Sequence, residues 1–491
     1  MKDTMLKTIT PEKAGIHSAA IRHYIEALEK RGVNIHSFLM MRGEDICAEG
    51  YCPPYSEDKL QRMYSISKSF TSAAIGLMLG EGRIGIKDKI IDYFPEYCPE
   101  NPHKWLCDTT IEDLLKMATP FVETKHTSGT GHWLREYLNC PVNHPPGTIF
   151  IYDTAASHTL CALVEKLNGK TMLEYMREKL LDPIGFSKEA WCIKAPDGYS
   201  WGGSGIMATL RDLGKFACVF NHGGRFKGRQ LLSESYVKAA TDKQIFNDEW
   251  NDHMMWRGGY GYQIWLSNDG SFAFRGMGGQ HAICFPKEDF IFCCTADCQG
   301  SDLTYQFIYE ELRRQIIPNL SAELCENIPE YEKLKKTCNN MRLAAVKGKT
   351  DVPMKNTVNG AVYKLEKNRM EISDICFLFS KDEGVMRYTT PRGVKEIKFG
   401  FGKPAEYVFP ETHYFFKQID TPSGKGYRAW SSAAWKDDHT LVIRTHTLDE
   451  YLGVITMTFS FRNDEIGIAM VKTAEWYFNE YSGYAGGTKI N

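Results

Sequence analysis

Ser65 stands three residues before Lys68 in the stretch Met63-Tyr-Ser-Ile-Ser-Lys-Ser-Phe70. A serine and a lysine at this spacing on one helical turn lie about 5–6 Å apart at Cβ. The chemistry such a pair offers is nucleophilic attack by the hydroxyl, with the amine taking its proton. A lysine in water titrates near about 10.4 and is useless as a base. Burial disfavours the ammonium, and the positive end of a helix dipole pushes the same way while stabilising negative charge on the Ser65 oxygen. The Ser65 N–H would fall among the unpaired first donors of the helix, available to an oxyanion. A plainer alternative is a serine cap with a lysine reaching to solvent, and the pair by itself leaves both open. Indeed the spacing recurs at Ser56/Lys59 and Ser235/Lys238. What distinguishes Ser65 is the long run of apolar and small residues that follows it.

That run, Ser65 to about Gly80, has helical character, and its small residues suit a helix packed closely on all sides. Ser18–Gly32 reads as an amphipathic helix stopped by glycine. "HSFLMMRGEDICAEGY" reads as a hairpin turning at Arg42–Asp45. "TTIEDLLKMATP" and "MLEYMREKLLDPIG" read as helices, and Thr209–Asp212 as a capping box opening another. "GYGYQIWLS", "SFAFRG" and "HAICFPKEDFIFCCTAD" read as strands, and "LTYQFIYEELRRQIIP" as a closing helix. The first 320 residues therefore predict an α+β domain whose antiparallel sheet gathers strands from both ends, with the helical middle as a separate lobe. Residues 321–344 are polar and predict a linker. From 345 to 491, strand-like segments broken by turn residues about every 8–12 positions predict an all-β sandwich or barrel.

The chain has 491 residues, enough for two domains, and its formal net charge of −2 supplies no global field for nucleic acid or an anionic membrane. Fifteen cysteines, an odd number in a long chain, point to a reducing cytoplasm rather than to a disulfide framework. Cys293, Cys294 and Cys298 fit no zinc spacing, so no metal site is expected. No apolar stretch is long enough to span a bilayer, and the first residues have no signal-peptide core.

"SISKSFTSAAIGLMLGEGRIGIKDKIIDYFPE", followed by "TTIEDLLKMATP", "HPPGTIFIYDTAASHTLCALVEKLNGKTMLEYMREKLLDPIGF", "GGSGIMATLRDLGKF" and "FRGMGGQHAICFP", resembles the penicillin-binding-protein-like serine hydrolases. That family includes class C β-lactamases, D-stereospecific peptidases and family VIII esterases. The resemblance runs in order through nearly all of residues 10–315. It implies a β-lactamase-like transpeptidase fold, Ser65 as nucleophile, Lys68 as its partner, and Tyr152 as the tyrosine of a Tyr-x-Asn motif. It puts Met277-Gly278-Gly279-Gln280 at the third motif and implies an oxyanion hole from Ser65 and Gln280, with Gly279 the neighbouring alternative. It needs no cofactor. It also implies that residues 126–133 overhang the cleft, and that the last domain is a lipocalin-like addition.

Two departures from the family pattern bear on substrate. Thr154 replaces the asparagine of the second motif, with one hydroxyl for an amide. Met277 replaces the lysine or histidine that opens the third, so a cation for substrate carboxylate is missing there. Arg275 and His281 share strand parity with Met277 and are the candidate substitutes. Trp133, Trp191, Trp201, Trp256, Tyr260 and Tyr262 are candidate pocket aromatics. The reading is a cytoplasmic serine hydrolase acting on a small ester or amide, with Ser65, Lys68 and Tyr152 catalytic, Thr154, Met277, Gly278, Arg275 and His281 binding substrate, and assembly to a homodimer left open. The alternatives are a β-lactamase or D-Ala carboxypeptidase, a D-aminopeptidase or ω-amide oligomer hydrolase, and a catalytically lapsed binding protein.

Overall fold

The computed structural model describes residues 5–124, 131–247, 256–300, 302–414, 419–420, 426–474 and 477–490. It divides into two compact units, residues 1–342 and 343–491.

The first unit is built on an eight-stranded sheet. Its strand order is Lys7–Thr8, Asp45–Tyr51, Ile35–Arg42, Phe290–Ala296, Gln280–Phe285, Phe272–Gly276, Trp265–Leu266 and Gly259–Tyr260. Strands from both ends of the chain thus meet at the centre, where Ile35–Arg42 pairs antiparallel with Phe290–Ala296. The edge strand Lys7–Thr8 pairs parallel with Asp45–Tyr51, so the sheet is mixed rather than wholly antiparallel. All seven residues of Phe290–Ala296 are buried, as a central strand covered on both faces must be. Phe216 and Phe220 of helix Leu210–Asn221 pack on Phe274 from one side. From the other, Tyr24 of helix Ser18–Lys30 meets Phe292 edge-on at 5.5 Å and donates its hydroxyl to the Ile308 carbonyl. The expected capping box is present: Thr209 Oγ1 accepts from the Asp212 N–H, and Asp212 Oδ2 from that of Thr209.

The helical lobe centres on Ser67–Gly80 and Thr154–Asn168, flanked by the short helices Ile111–Leu115, Trp133–Leu138 and Met172–Met176. Small residues allow these helices to approach. A Cβ on Gly76 would lie 2.4 Å from the Tyr236 ring. Gln263 ties the lobe together. Its carbonyl accepts from Ser69, its amide oxygen from Ser157, and its amide nitrogen donates to the Leu114 and Leu115 carbonyls.

Residues 321–344 are not a bare linker. They contain a helix, Ile328–Asn339, which packs against Ser18–Lys30. The segment reads as polar because the helix lies on the surface of the first unit and buries little but Leu334.

The second unit is a closed barrel of nine strands. Eight of its nine pairings are antiparallel, and the parallel pairing of Gly393–Phe401 with Arg428–Trp435 closes the ring. A tenth strand, Ala405–Val408, adds to Arg428–Trp435. Inward residues alternate along each strand, so that Ile455, Met457 and Phe459 are buried between partly exposed threonines. Phe377, Phe459, Phe461 and Trp435 form a connected aromatic core. Replacing Trp435, which is fully buried, by alanine should destabilise this unit by about 3–5 kcal/mol. The measurement is urea unfolding followed by near-UV circular dichroism, and an unshifted midpoint would show that the barrel does not depend on this indole.

Candidate active site

Of all residues from Gln61 to Met78, only Ser65 is not fully buried. It sits in a short 3-10 turn, Tyr64–Ile66, and the α-helix begins at Ser67. The sequence reading had the helix starting at Ser65 itself. The turn differs because Tyr64 holds a left-handed backbone, with φ of 48°. Such a conformation costs of order 1–3 kcal/mol in a non-glycine residue and persists only where the surroundings enforce it. Here the Arg62 guanidinium lies 4.2 Å over the Tyr64 ring, and Met63 N–H donates to Ile206 O. The Ser67 hydroxyl then accepts from the Ile206 N–H, pinning the start of the helix to the same strand.

Lys68 is 1% exposed. Its Nζ lies 3.0 Å from Ser65 Oγ, 3.1 Å from Thr154 Oγ1 and 2.7 Å from the Gly203 carbonyl. Burial lowers its pKa to about 7, helped by Arg62 and opposed by Asp153. The three contacts suit a neutral amine, with two N–H groups donating to Gly203 O and Thr154 Oγ1 and the lone pair directed at the Ser65 hydroxyl. Gly203 had no role in the sequence reading, although the "GGSG" segment was visible. It must be glycine for a packing reason, since a Cβ there would lie 2.6 Å from Thr154 Cγ2 and 2.9 Å from Thr154 O.

Tyr152 immediately precedes helix Thr154–Asn168, and its ring centroid lies 4.9 Å from Lys68 Nζ. Burial pushes its phenol up to about 12, against opposing pulls from its hydrogen bond to Ser65 and from Arg275. At neutral pH the phenol therefore carries its proton while the amine is half free of one. Asp153 caps the helix, its Oδ1 accepting from the Ala155 N–H at 2.8 Å and from Thr124 Oγ1 at 3.0 Å. Burial raises its carboxyl to about 6, held down by those donors and by Lys68.

The third motif is the tip of the hairpin Phe272–Gly276/Gln280–Phe285. Gly278 and Gly279 both have left-handed φ, at 82° and 96°, which the turn requires. Gly276 faces the nucleophile turn, where a Cβ would lie 2.4 Å from Met63 O. The Gln280 side chain points into the sheet, donating to Met277 O and Ala296 O, so only its backbone is left for the cleft. Gly278 N–H donates to Tyr305 Oη, and Gly279 N–H to Gly276 O. Met277 is 38% exposed at the tip.

Arg275 and His281 are direct cross-strand partners and share one face. They differ in depth. His281 is buried, edge-on to Tyr305 at 6.0 Å. Arg275 is half-buried, its guanidinium 5.3 Å from the Trp256 ring and 5.0 Å from the Trp265 ring. Trp265 in turn lies 5.3 Å from the Tyr152 ring, and Tyr260 6.4 Å from it. Of the six expected pocket aromatics, then, Trp256 and Tyr260 gather here, together with Trp265, which the sequence reading passed over as a strand residue. Trp133 and Trp201 instead pack edge-on inside the helical lobe, and Tyr262 donates to Glu112. Trp191 belongs to a short strand paired with Ile206–Ala208. Of the loop 126–133, residues 126–130 lie outside the described residues. The other two Ser-x-x-Lys serines are unremarkable: Ser56 bonds Asp58, and Ser235 bonds Ser233, both at the surface.

Among the described residues, one trio has metal-ligand spacing: Glu411, His413 and Glu480, in the barrel unit. Its carboxylates are already paired with Lys395 and Arg392, and His413 is pushed up to about 9 by its bonds to Glu411 and Glu480. A protonated imidazole offers no lone pair to a metal. Cys293, Cys294 and Cys298 are buried thiols with raised pKa values, unsuited to thiolate ligation. No helix among the described residues is long and apolar enough to cross a membrane.

Residues 21–301, more than half of the chain, match the beta-lactamase family model. The chain is 24% identical over 306 residues to the 6-aminohexanoate-dimer hydrolase of Paenarthrobacter ureafaciens, covering 57% of this chain and 78% of that one. A solved structure from Bacillus anthracis, provisionally named a 6-aminohexanoate-dimer hydrolase, superposes with a TM-score of 0.52 at 19% identity, over 64% of this chain and 88% of that one. A family VIII carboxylesterase superposes with a TM-score of 0.50 at 16% identity, over 63% and 99%. The chain belongs to the beta-lactamase family of hydrolases.

The contact at Gly276 is open to test. Gly276→Val would drive the hairpin off the nucleophile turn. Labelling of Ser65 by a fluorophosphonate is expected to slow by about 100-fold or more, as for an angstrom-scale misplacement, while the far-UV circular dichroism is kept. Labelling at the parent rate would show that the two segments are not in register as described.

Proposed function

We propose that this member of the beta-lactamase family is a serine hydrolase that cleaves an ester or amide through an acyl-enzyme on Ser65. The observation that carries the reading is a buried amine with pKa about 7 placed 3.0 Å from the one accessible hydroxyl of its segment. In the mechanism, neutral Lys68 takes the Ser65 proton as Oγ attacks the carbonyl carbon. The oxyanion is held by the backbone N–H groups of Ser65 and Gln280. Gln280 is favoured over Gly279 because the Gly279 N–H is already bonded within the turn. Tyr152, protonated at neutral pH, gives its proton to the leaving group and is restored by the proton that Lys68 holds. Water then attacks the acyl carbon and the same proton path runs in reverse, releasing the acid and freeing Ser65. Lys68, rather than Tyr152, is the base, because near neutral pH about half of an amine at about 7 is free to accept a proton, whereas a phenol at about 12 is almost wholly protonated.

Substrate recognition falls to Arg275, with Thr154, Met277 and Gly278 lining the approach and His281 its buried cross-strand partner. A guanidinium near two indoles, one of them 5.3 Å from the Tyr152 ring, suits a substrate bearing a carboxylate. This favours, as a second reading within the same chemistry, an ω-amide that carries a carboxylate; the Paenarthrobacter relative is named a 6-aminohexanoate-dimer hydrolase. The barrel unit is read as a lipocalin-like accessory domain with a packed interior.

Three outcomes follow. Ser65→Ala should abolish fluorophosphonate labelling, located by mass spectrometry of the modified peptide; an equal adduct in the variant would overturn the mechanism. Labelling of the parent should fall roughly tenfold from about pH 8 to about pH 6, since protonation of Lys68 removes the base; a flat profile would remove Lys68 from that role. Arg275→Ala should raise KM for a carboxylate-bearing substrate by about 10–100-fold, with short neutral p-nitrophenyl esters little affected. Equal losses on both would assign Arg275 to scaffolding instead.

A further inference from the structure

The middle residue of the second motif, Asp153, has no part in the mechanism above, yet its placement is unusual. It is 5% exposed, and one residue along the chain lies Thr154, whose hydroxyl is 3.1 Å from Lys68 Nζ. One carboxylate oxygen is used twice, as the helix cap and as acceptor for Thr124. The other, Oδ2, is buried with no hydrogen-bond partner among the described residues. A cap needs only one oxygen, and asparagine or serine would provide it equally well. With its second oxygen the side chain can carry a negative charge, present above about pH 6, in a place where water screens it poorly, and that charge acts on the neighbouring amine.

We propose that Asp153 is a positioning residue whose buried carboxylate sets how tightly Lys68 holds its proton, and hence the pH at which Ser65 becomes a nucleophile. The inference rests on the reading of Ser65 and Lys68 above. The charged and titratable groups around the pair are few. Arg62, held by Ser204 O and Oγ, acts on Lys68 with the opposite sign to Asp153. Tyr152 covers Lys68 with its ring and is itself influenced by Arg275. On the far side Asp153 acts on the buried Tyr137 phenol, which Asp113 influences in the same direction. Burial and Arg62 thus favour the free amine, and Asp153 alone of these groups favours the ammonium. The balance leaves Lys68 near neutrality instead of permanently deprotonated, so it can both accept the Ser65 proton and return it.

The test uses the full chain and a fluorophosphonate, whose rate of reaction with Ser65 is followed against pH in the parent and in Asp153→Asn. Asparagine keeps the cap and the acceptor for Thr124 and removes the charge, while placing an NH2 group where Oδ2 has no partner. The acid-limb midpoint should move to lower pH, so that labelling at about pH 6 rises about three- to tenfold relative to the variant's own plateau. An unmoved or raised midpoint, or loss of labelling at every pH in a folded variant, would overturn the proposal. If the asparagine variant does not fold, Asp153→Ser, which also caps, carries the same expectation. A parent that does not label at Ser65 overturns the nucleophile reading and this inference with it. A labelled parent with an unmoved midpoint in the variants overturns this inference alone.

Discussion

The burial of one amine organises this site. A lysine Nζ taken out of water must find acceptors for its N–H groups, and it must also surrender much of its affinity for a third proton. Lys68 meets both demands with a serine, a threonine and a backbone carbonyl, contributed by three separate segments of the chain. Each segment is then constrained. Gly203 cannot carry a side chain, Thr154 must begin a helix, and Ser65 must sit in a turn tight enough to bring its hydroxyl back over the lysine. The left-handed Tyr64 is the local cost of that turn.

The remaining architecture holds these three segments against the sheet. Gly276 lets the hairpin tip approach the Met63 carbonyl, which places the Met277–Gln280 turn beside the turn that holds Ser65. Gln263 fastens the Ser67–Gly80 helix, the Thr154–Asn168 helix and the Ile111–Leu115 helix through four buried hydrogen bonds. Each of its partners left unsatisfied would cost about 1–3 kcal/mol. The lobe and the sheet therefore behave as one support for the site, although they come from alternating parts of the sequence.

How much of this the sequence discloses depends on whether the constraint is local. The helix after Ser65, the capping box at Thr209 and the hairpin at Arg42–Asp45 follow from spacing and composition, and the structure contains all three. The barrel strands follow from alternation, because one face of each must be buried. The register between distant segments does not. Nothing in "GGSG" announces that the Gly203 carbonyl will reach Lys68, 135 residues away. Parity puts Arg275 and His281 on one face, as the structure has them, but cannot say that His281 lies buried against Tyr305 while Arg275 lies near two indoles. The helix in 321–344 escapes notice for a similar reason: a surface helix that buries one leucine has almost no apolar stripe to read. Fold and motif order are thus legible, whereas depth and cross-segment contact are not.

The substitution of Thr154 for asparagine shows what such a contact decides. An asparagine amide offers an oxygen to the lysine and an N–H to the substrate at once, whereas a hydroxyl that accepts from Lys68 has a single proton left to donate. The lysine keeps its partner, since Thr154 Oγ1 lies 3.1 Å from Nζ. What is reduced is the donor capacity facing substrate. The third motif loses donors as well, because Met277 has none and the Gly278 and Gly279 N–H groups are bonded to Tyr305 and Gly276. The contacts of Lys68 with Ser65 and Thr154 are therefore kept in a site with fewer polar donors than the family pattern provides. A charge that remains is that of Arg275, whose guanidinium lies 5.3 Å from the Trp256 ring and 5.0 Å from the Trp265 ring. The departures in both motifs thus spare the contacts of Lys68 and fall on the donors around it.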